Sequence, residues 1–320
     1  VSGLAERLMS DMCELFREYA DEAGHVGRHE LLEIGSAPRF AELSAKTALL
    51  GRVDLSCTGP LGAHDDARLA FWLNVYNLIC MQGFAANARQ VPCSESTLAV
   101  LRMHSSFVYN IGGFSISAIE IEHAILRASK PRPSFFIAFL IPKLGSHDPR
   151  RALAFSRLPS PLLSFGLVAG TIFSPPLRAY SAGAVHTQLA QNARAVLATT
   201  IEVLDKTPSG STSRSQGHAS AHHGATLPSS PQVLDPTPSR LHLSLPAQLR
   251  WHRADVGASV LDALTGPVLR PLLPPRIAGL LGAHSGLAPA TAPATVAKTR
   301  WSNMSWLVRF EFAPVGEEYV

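Results

Sequence analysis

Apolar positions fall first at helical spacing: Leu4, Leu8, Met12, Leu15 and Tyr19 lie three or four residues apart and mark the buried stripe of a helix. Gly24 and Gly27 interrupt that pattern, and a second helical segment runs from about Pro38 to Leu50. Asp65 and Asp66 can cap a further helix, in which Leu69, Trp72, Leu73, Tyr76, Ile79 and Cys80 predict one broad buried face. The period then drops to two. Phe107, Tyr109 and Ile111 share one face, Val108 and Asn110 the other, Gly112-Gly113 supplies a turn, and Phe114 and Ile116 return, which predicts a hairpin near 106–116. Ser117 and Glu120 form a capping box, so a helix is expected through Arg127. Phe135–Ile141, bounded by Pro133 and Pro142, reads as a strand, and Ser181 opens a helix whose core face is Val185, Leu189, Val196, Ile201 and Leu204. Leu241 to Leu280 is helical in tendency but broken by prolines, and Trp306, Val308, Phe310 and Phe312 alternate as a closing strand. The expected fold class is α+β, mostly helical with a small β-sheet.

Between these segments lie stretches that cannot build a core. Residues 207–239 are Ser-, Pro- and His-rich with almost no large apolar side chains, too few to offset the entropy of ordering, and read as a disordered insertion. Residues 282–297 read as a second flexible stretch. The expected organisation is a helical lead-in over 1–60, a core over 61–206, the insertion, and a C-terminal part of the same domain over 240–320.

Charge narrows the function classes. Charged residues are 16% of the chain, below the usual quarter or so, and the net charge is +4. Lys and Arg form no run or stripe, so no nucleic-acid partner is expected. Leu158–Leu177 is uncharged and long enough to span a bilayer, but four prolines and two glycines break it. It reads as loop, buried strand and turn, and no membrane span is expected. Cys13, Cys57, Cys80 and Cys93 lack the spacing of a zinc or redox motif and are too few for a disulfide scaffold. No metal and no cofactor is expected. The absence of a signal-peptide pattern points to an intracellular, cytoplasmic protein, and a start at Val1 to a fragment of a longer multidomain chain.

Three blocks in order carry a resemblance. They are Phe71-Trp72-Leu73-Asn74-Val75-Tyr76-Asn77; then Tyr109-Asn110-Ile111-Gly112-Gly113 with Ile121-Glu122-His123-Ala124-Ile125-Leu126-Arg127; then Asp148-Pro149-Arg150 with Ser174-Pro175-Pro176-Leu177-Arg178-Ala179-Tyr180. Together they resemble the domain of unknown function 547 family, and Leu245-Pro246 to Val256-Gly257 resembles its C-terminal portion more loosely. The resemblance implies an α+β domain often fused to other modules, and no settled reaction. It also implies a distant relation to papain-like or transglutaminase-like thiol enzymes. Gln82 stands where relatives often carry a His. Val168, Ala169 and Ser174 stand where they often have cysteines. Ala152 replaces a His after Asp-Pro-Arg, and an insertion over about 155–164 splits the third block. If the family's chemistry uses that thiol and those histidines, this chain has lost it.

The residues themselves offer candidates. Asn74 and Asn77 share a helix face, with Gln82 two turns beyond Asn74. Buried amides need partners, so they either bond a neighbouring backbone or polarise a substrate. His123, near Glu120 and Arg127 on an ideal helix, is the candidate general base, because a carboxylate one turn away raises imidazole basicity; the same three can be a solvated surface triad. Arg178 and Tyr180 follow a rigid Ser-Pro-Pro turn, where a guanidinium can bind an anion or lock the turn to Asp148. Asn110, Gln82 and Glu120 complete the candidate binding set. The first reading is a non-catalytic binding or scaffolding domain with a protein, peptide or small-molecule partner. The alternative is a hydrolase or acyl-transfer enzyme with His123 as base and Asn74 and Asn77 as polarisers.

Overall fold

The structure is a computed structural model. It describes residues 2–22, 24–56, 65–90, 97–128, 130, 141–170, 174–203, 241–245, 249, 252–286, 296–301 and 310–311. The strand expected over 135–141 and the insertion over 207–239 lie outside these, apart from a buried Ile141.

Helices α1 (Ser2–Glu18), α2 (Arg28–Ser36) and α3 (Pro38–Lys46) form the lead-in. Met9, Met12, Leu15 and Phe16 of α1 are fully or almost fully buried, so the spacing in the sequence does mark the packed face. The lead-in packs against α4 (Asp65–Ala86), and here the expectation of one buried face fails. Every residue from Leu69 to Ala85 is buried. An apolar helix surrounded on all sides has no solvent face to keep polar, and its apolar residues no longer report a single stripe. α4 is long and apolar enough to cross a membrane by length and composition, and 89% of that window is buried inside this fold.

Around α4 lie α5 (Thr97–Ser106), the hairpin β2–β3 (Val108–Ile111 and Phe114–Ser117) and α7 (Val185–Thr200). The hairpin pairs Val108 with Ser117 and Ile111 with Phe114, and both turn glycines have positive φ, as such a tight turn requires. α7 begins four residues later than Ser181, after a turn. Leu158–Leu177 holds one 3-10 turn (Leu163–Phe165) and coil, with no strand among its described residues. Asn77, Asn192 and Gly166-centred packing take up its backbone instead, as described below.

Two further sheets join distant parts of the chain. β1 (His25–Val26) pairs antiparallel with β7 (Phe310–Glu311), the described part of the expected closing strand. β4 (Glu202–Val203) pairs antiparallel with β5 (Leu241–Leu245), which pairs in parallel with β6 (Val296–Trp301). Leu241–Leu245 was expected to be helical; its leucines at 241, 243 and 245 have period two, the strand period, and Leu243 and Leu245 are fully buried. The stretch over 282–297 begins inside the helix Pro275–Gly286 and ends in β6. The helix extends that far because Ile277 and Leu281 are anchored in a second apolar core with Val196, Leu197, Leu264 and Leu269. The first core contains α1–α4, the hairpin and Leu153–Leu189.

Candidate functional site

The sequence-derived candidates separate into distinct groups by partner. Asn74 and Asn77, both fully buried, bind backbone. The Asn74 side chain donates to Tyr180 O and accepts from Tyr180 N, both at 2.7 Å. Asn77 donates to Gly166 O and accepts from Val168 N, both at 2.9 Å. Each amide thus reproduces one rung of a strand ladder and ties the coil of 166–180 to α4. Gly166 is required for the approach: a Cβ there would stand 2.6 Å from Leu189 and 2.9 Å from Leu73. Tyr180 is itself buried, and Asn192 Nδ2 reaches its hydroxyl at 2.9 Å.

Arg178 donates from Nη1 to Gln191 on α7 at 2.6 Å. Asp148, its suggested partner, holds Arg150 instead. Arg150 also reaches Glu120 at 2.9 Å and Ser115 O at 3.0 Å, so the Asp-Pro-Arg block ties itself to β3 and to the capping box. Glu120 is therefore engaged with Ser117 and Arg150. Asn110 is exposed on β2 beside Gly51. Gln82 is buried, and its Nε2 has no partner.

His123 belongs to a different constellation. The helix expected through Arg127 is α-helical only over α6 (Ala118–Glu120), where the Ser117–Glu120 capping box forms as the sequence indicates. Ile121–Leu126 is a π-helical turn, closed by Arg127 N donating to Glu122 O at 2.9 Å. On an α-helix adjacent residues do not face each other. In this wider turn Glu122 Oε1 lies 3.6 Å from His123 Nε2. The carboxylate beside the imidazole is thus Glu122, and the triad of Glu120, His123 and Arg127 on one α-helical face does not form. Such π turns concentrate at functional sites.

Glu122 is the hub. Its Oε2 accepts from the Tyr76 hydroxyl at 3.3 Å, and its Oε1 also lies 3.6 Å from His252 Nε2. Burial alone would raise its pKa, but His123, His252, Arg127 and His104 hold the carboxyl below its usual value. Burial lowers the His252 pKa to about 3, aided by Arg127, and the His104 pKa to about 4. Both imidazoles are therefore neutral at pH 7. His104 sits among Tyr76, Phe84 and Phe107, with ring centroids 5.8–6.3 Å away. It hydrogen-bonds the backbone of Ala169, and its Nε2 has no partner. Arg127 forms a buried ion pair with Asp255.

Among the described residues the two cysteine thiols, Cys13 and Cys80, are buried and resist ionisation. Burial pushes the Cys13 thiol up to about 12 and raises the Cys80 thiol further above its ordinary value. Cys57 and Cys93 lie outside the described residues. Ser174 is buried. Among the described residues no group of three or more His, Cys, Asp or Glu is arranged to hold a metal ion. Glu122, His104, His252 and Asp255 were not singled out in the sequence. The Ile-Glu-His block was the available signal for Glu122; nothing local marks the other three.

The architecture defines a class: a mostly helical α+β domain built round one buried helix, with a carboxylate–histidine cluster at a π turn. The family model described as "Protein of unknown function, DUF547" matches residues 61–197, the stretch that holds α4, the hairpin and the π turn. No curated protein and no solved structure matches the chain.

Proposed function

We propose that this DUF547 domain is a non-catalytic binding domain that takes a peptide or small-molecule ligand. One observation carries the reading: His104, beside Glu122 and His123, is bonded to the backbone of half-buried Ala169, where the family resemblance places a cysteine. An imidazole–carboxylate cluster activates a nucleophile only when one stands against it, and a methyl group cannot serve. The commitment of Asn74 and Asn77 to Tyr180, Gly166 and Val168 also supports the reading, since amides engaged with backbone do not polarise a substrate.

The test is turnover by the full chain on p-nitrophenyl esters and fluorogenic peptides. No saturable rate is expected, and no change in His123→Ala. Saturable turnover that disappears in a folded His123→Ala variant would overturn the reading. It would favour the alternative, a hydrolase with His123 as base, which draws support from the Glu122–His123 contact. Ala169→Cys supplies a second check. Its thiol should react with iodoacetamide faster than the buried Cys13 and Cys80, because His104 stands beside it.

A further inference from the structure

The segment that follows the second-core strand β5 returns to the polar cluster from 128 residues away in sequence. His252 and the short helix Arg253–Val256 lie against the π turn. His252 Nε2 meets Glu122 Oε1, the same oxygen that faces His123. Asp255 pairs with Arg127, their side chains 0% and 3% exposed. Ala254 O accepts from Lys130 Nζ at 3.3 Å. Among the described residues of this segment none joins the first apolar core, whereas Val256 packs on the second. Among the described residues, the contacts that hold the segment to the π turn are these polar ones.

Those contacts are also incompletely satisfied. Arg127 Nε, Asp255 Oδ1 and His252 Nδ1 are buried without partners. A buried pair with unmade hydrogen bonds recovers little beyond its desolvation cost, so the closed arrangement is only weakly preferred over an open one. Deleting one charge leaves the other buried and unpaired, which favours opening.

We propose that His252–Val256 is a strap over the Glu122–His123 cluster, with Arg127–Asp255 as its latch, and that opening it uncovers the surface that binds ligand. The proposal rests on the binding-domain reading and assigns that site its regulation. In the closed state His252 occupies one of the two oxygens through which Glu122 would receive a hydrogen-bond donor. In the open state Glu122 and His123 become accessible together, while the first core keeps its packing because the strap contributes nothing to it.

The experiment is residue-resolved diethyl pyrocarbonate modification of the full chain at pH 7, read by mass spectrometry. His29, with its side chain 78% exposed, is the internal reference. In the wild type His123 and His252 should react far more slowly than His29. In Asp255→Asn both should react about tenfold faster or more, the scale of a local opening favoured by little more than 1 kcal/mol, with near-UV circular dichroism from Trp72 and Tyr76 unchanged. His252→Ala removes the strap's contact with Glu122 but keeps the latch. It should accelerate His123 less than Asp255→Asn does. Unchanged His123 reactivity in folded Asp255→Asn overturns the strap. So does acceleration that comes only with loss of the near-UV signal in both variants, which would make the segment a part of the core. Turnover by the wild type would instead overturn the binding-domain reading and leave the strap standing.

Discussion

Asn74 and Asn77 show how two amides can hold a segment that has no strand among its described residues. Each removes one N–H and one C=O of the 166–180 segment from the burial penalty, and neither could be replaced by an apolar side chain of similar volume. Asn77→Ala leaves Gly166 O and Val168 N buried and unpaired, at a cost of ~1–3 kcal/mol for each group. Asn77→Asp should be worse than Asn77→Ala, since it loses the donor to Gly166 O and adds a carboxylate inside the first core. Urea unfolding of the three proteins checks that order; an aspartate variant as stable as the alanine variant would contradict it. The need for a partner was legible in the sequence, because amides inside an apolar helix must bond to something. The partner was not, because Tyr180 stands 106 residues away and binds through backbone, which any residue type supplies. Glu122 was missed for a related reason. Helical spacing assumes i to i+4 bonding, and the i to i+5 bond of the π turn moves the carboxylate that meets His123 from Glu120 to Glu122.

Elements with a strong period and a local turn were readable from the sequence. The hairpin is the clearest case, since Gly112-Gly113 fixes its register whatever surrounds it. The two glycines nevertheless do different jobs. Gly113 has φ +84° with open space at its missing Cβ, so Gly113→Ala should cost only the left-handed backbone strain, about 1–2 kcal/mol. Gly112 has φ +57°, and a Cβ there would stand 2.6 Å from Leu55 and 2.8 Å from Val53 O. Gly112→Ala therefore adds overpacking, typically a further ~1–3 kcal/mol. Thermal unfolding should rank wild type above Gly113→Ala above Gly112→Ala, and equal losses would show that the Leu55 contact yields freely. Elements whose pattern depends on distant neighbours were harder. α4 read as one-sided because the elements packed around it were invisible locally, and β5 read as helical because its parallel partner β6 begins 51 residues beyond its end at Leu245.

At the scale of the whole molecule, the two cores meet at a cluster that titrates. His104 faces Tyr76 and Phe84 from α4, and Glu122 and His123 from the π turn; His252 faces Glu122, His123 and Arg127, and Asp255 faces Arg127 and Lys130. Both imidazoles have folded pKa values, about 4 and about 3, below the 6.5 of the unfolded chain. Between those values the unfolded state binds more protons than the folded one, so stability is fully present above about pH 6.5 and is lost as pH falls toward 3. The shifts correspond to losses of about 3 kcal/mol for His104 and about 5 kcal/mol for His252 by the acid end of each range. Glu122, also held below its ordinary value, adds loss of the same sign at lower pH. Melting temperature measured from pH 8 to 4 should therefore be flat at first and then fall steeply below 6.5, before most carboxylates titrate. His104→Phe, which suits the aromatic surroundings of that ring, should flatten the fall between 6.5 and 4. A fall that begins only below pH 4.5 in the wild type would mean that the two histidines carry charge in the folded state. The cluster would then be open to water, and neither its burial nor its closure by the C-terminal segment could stand.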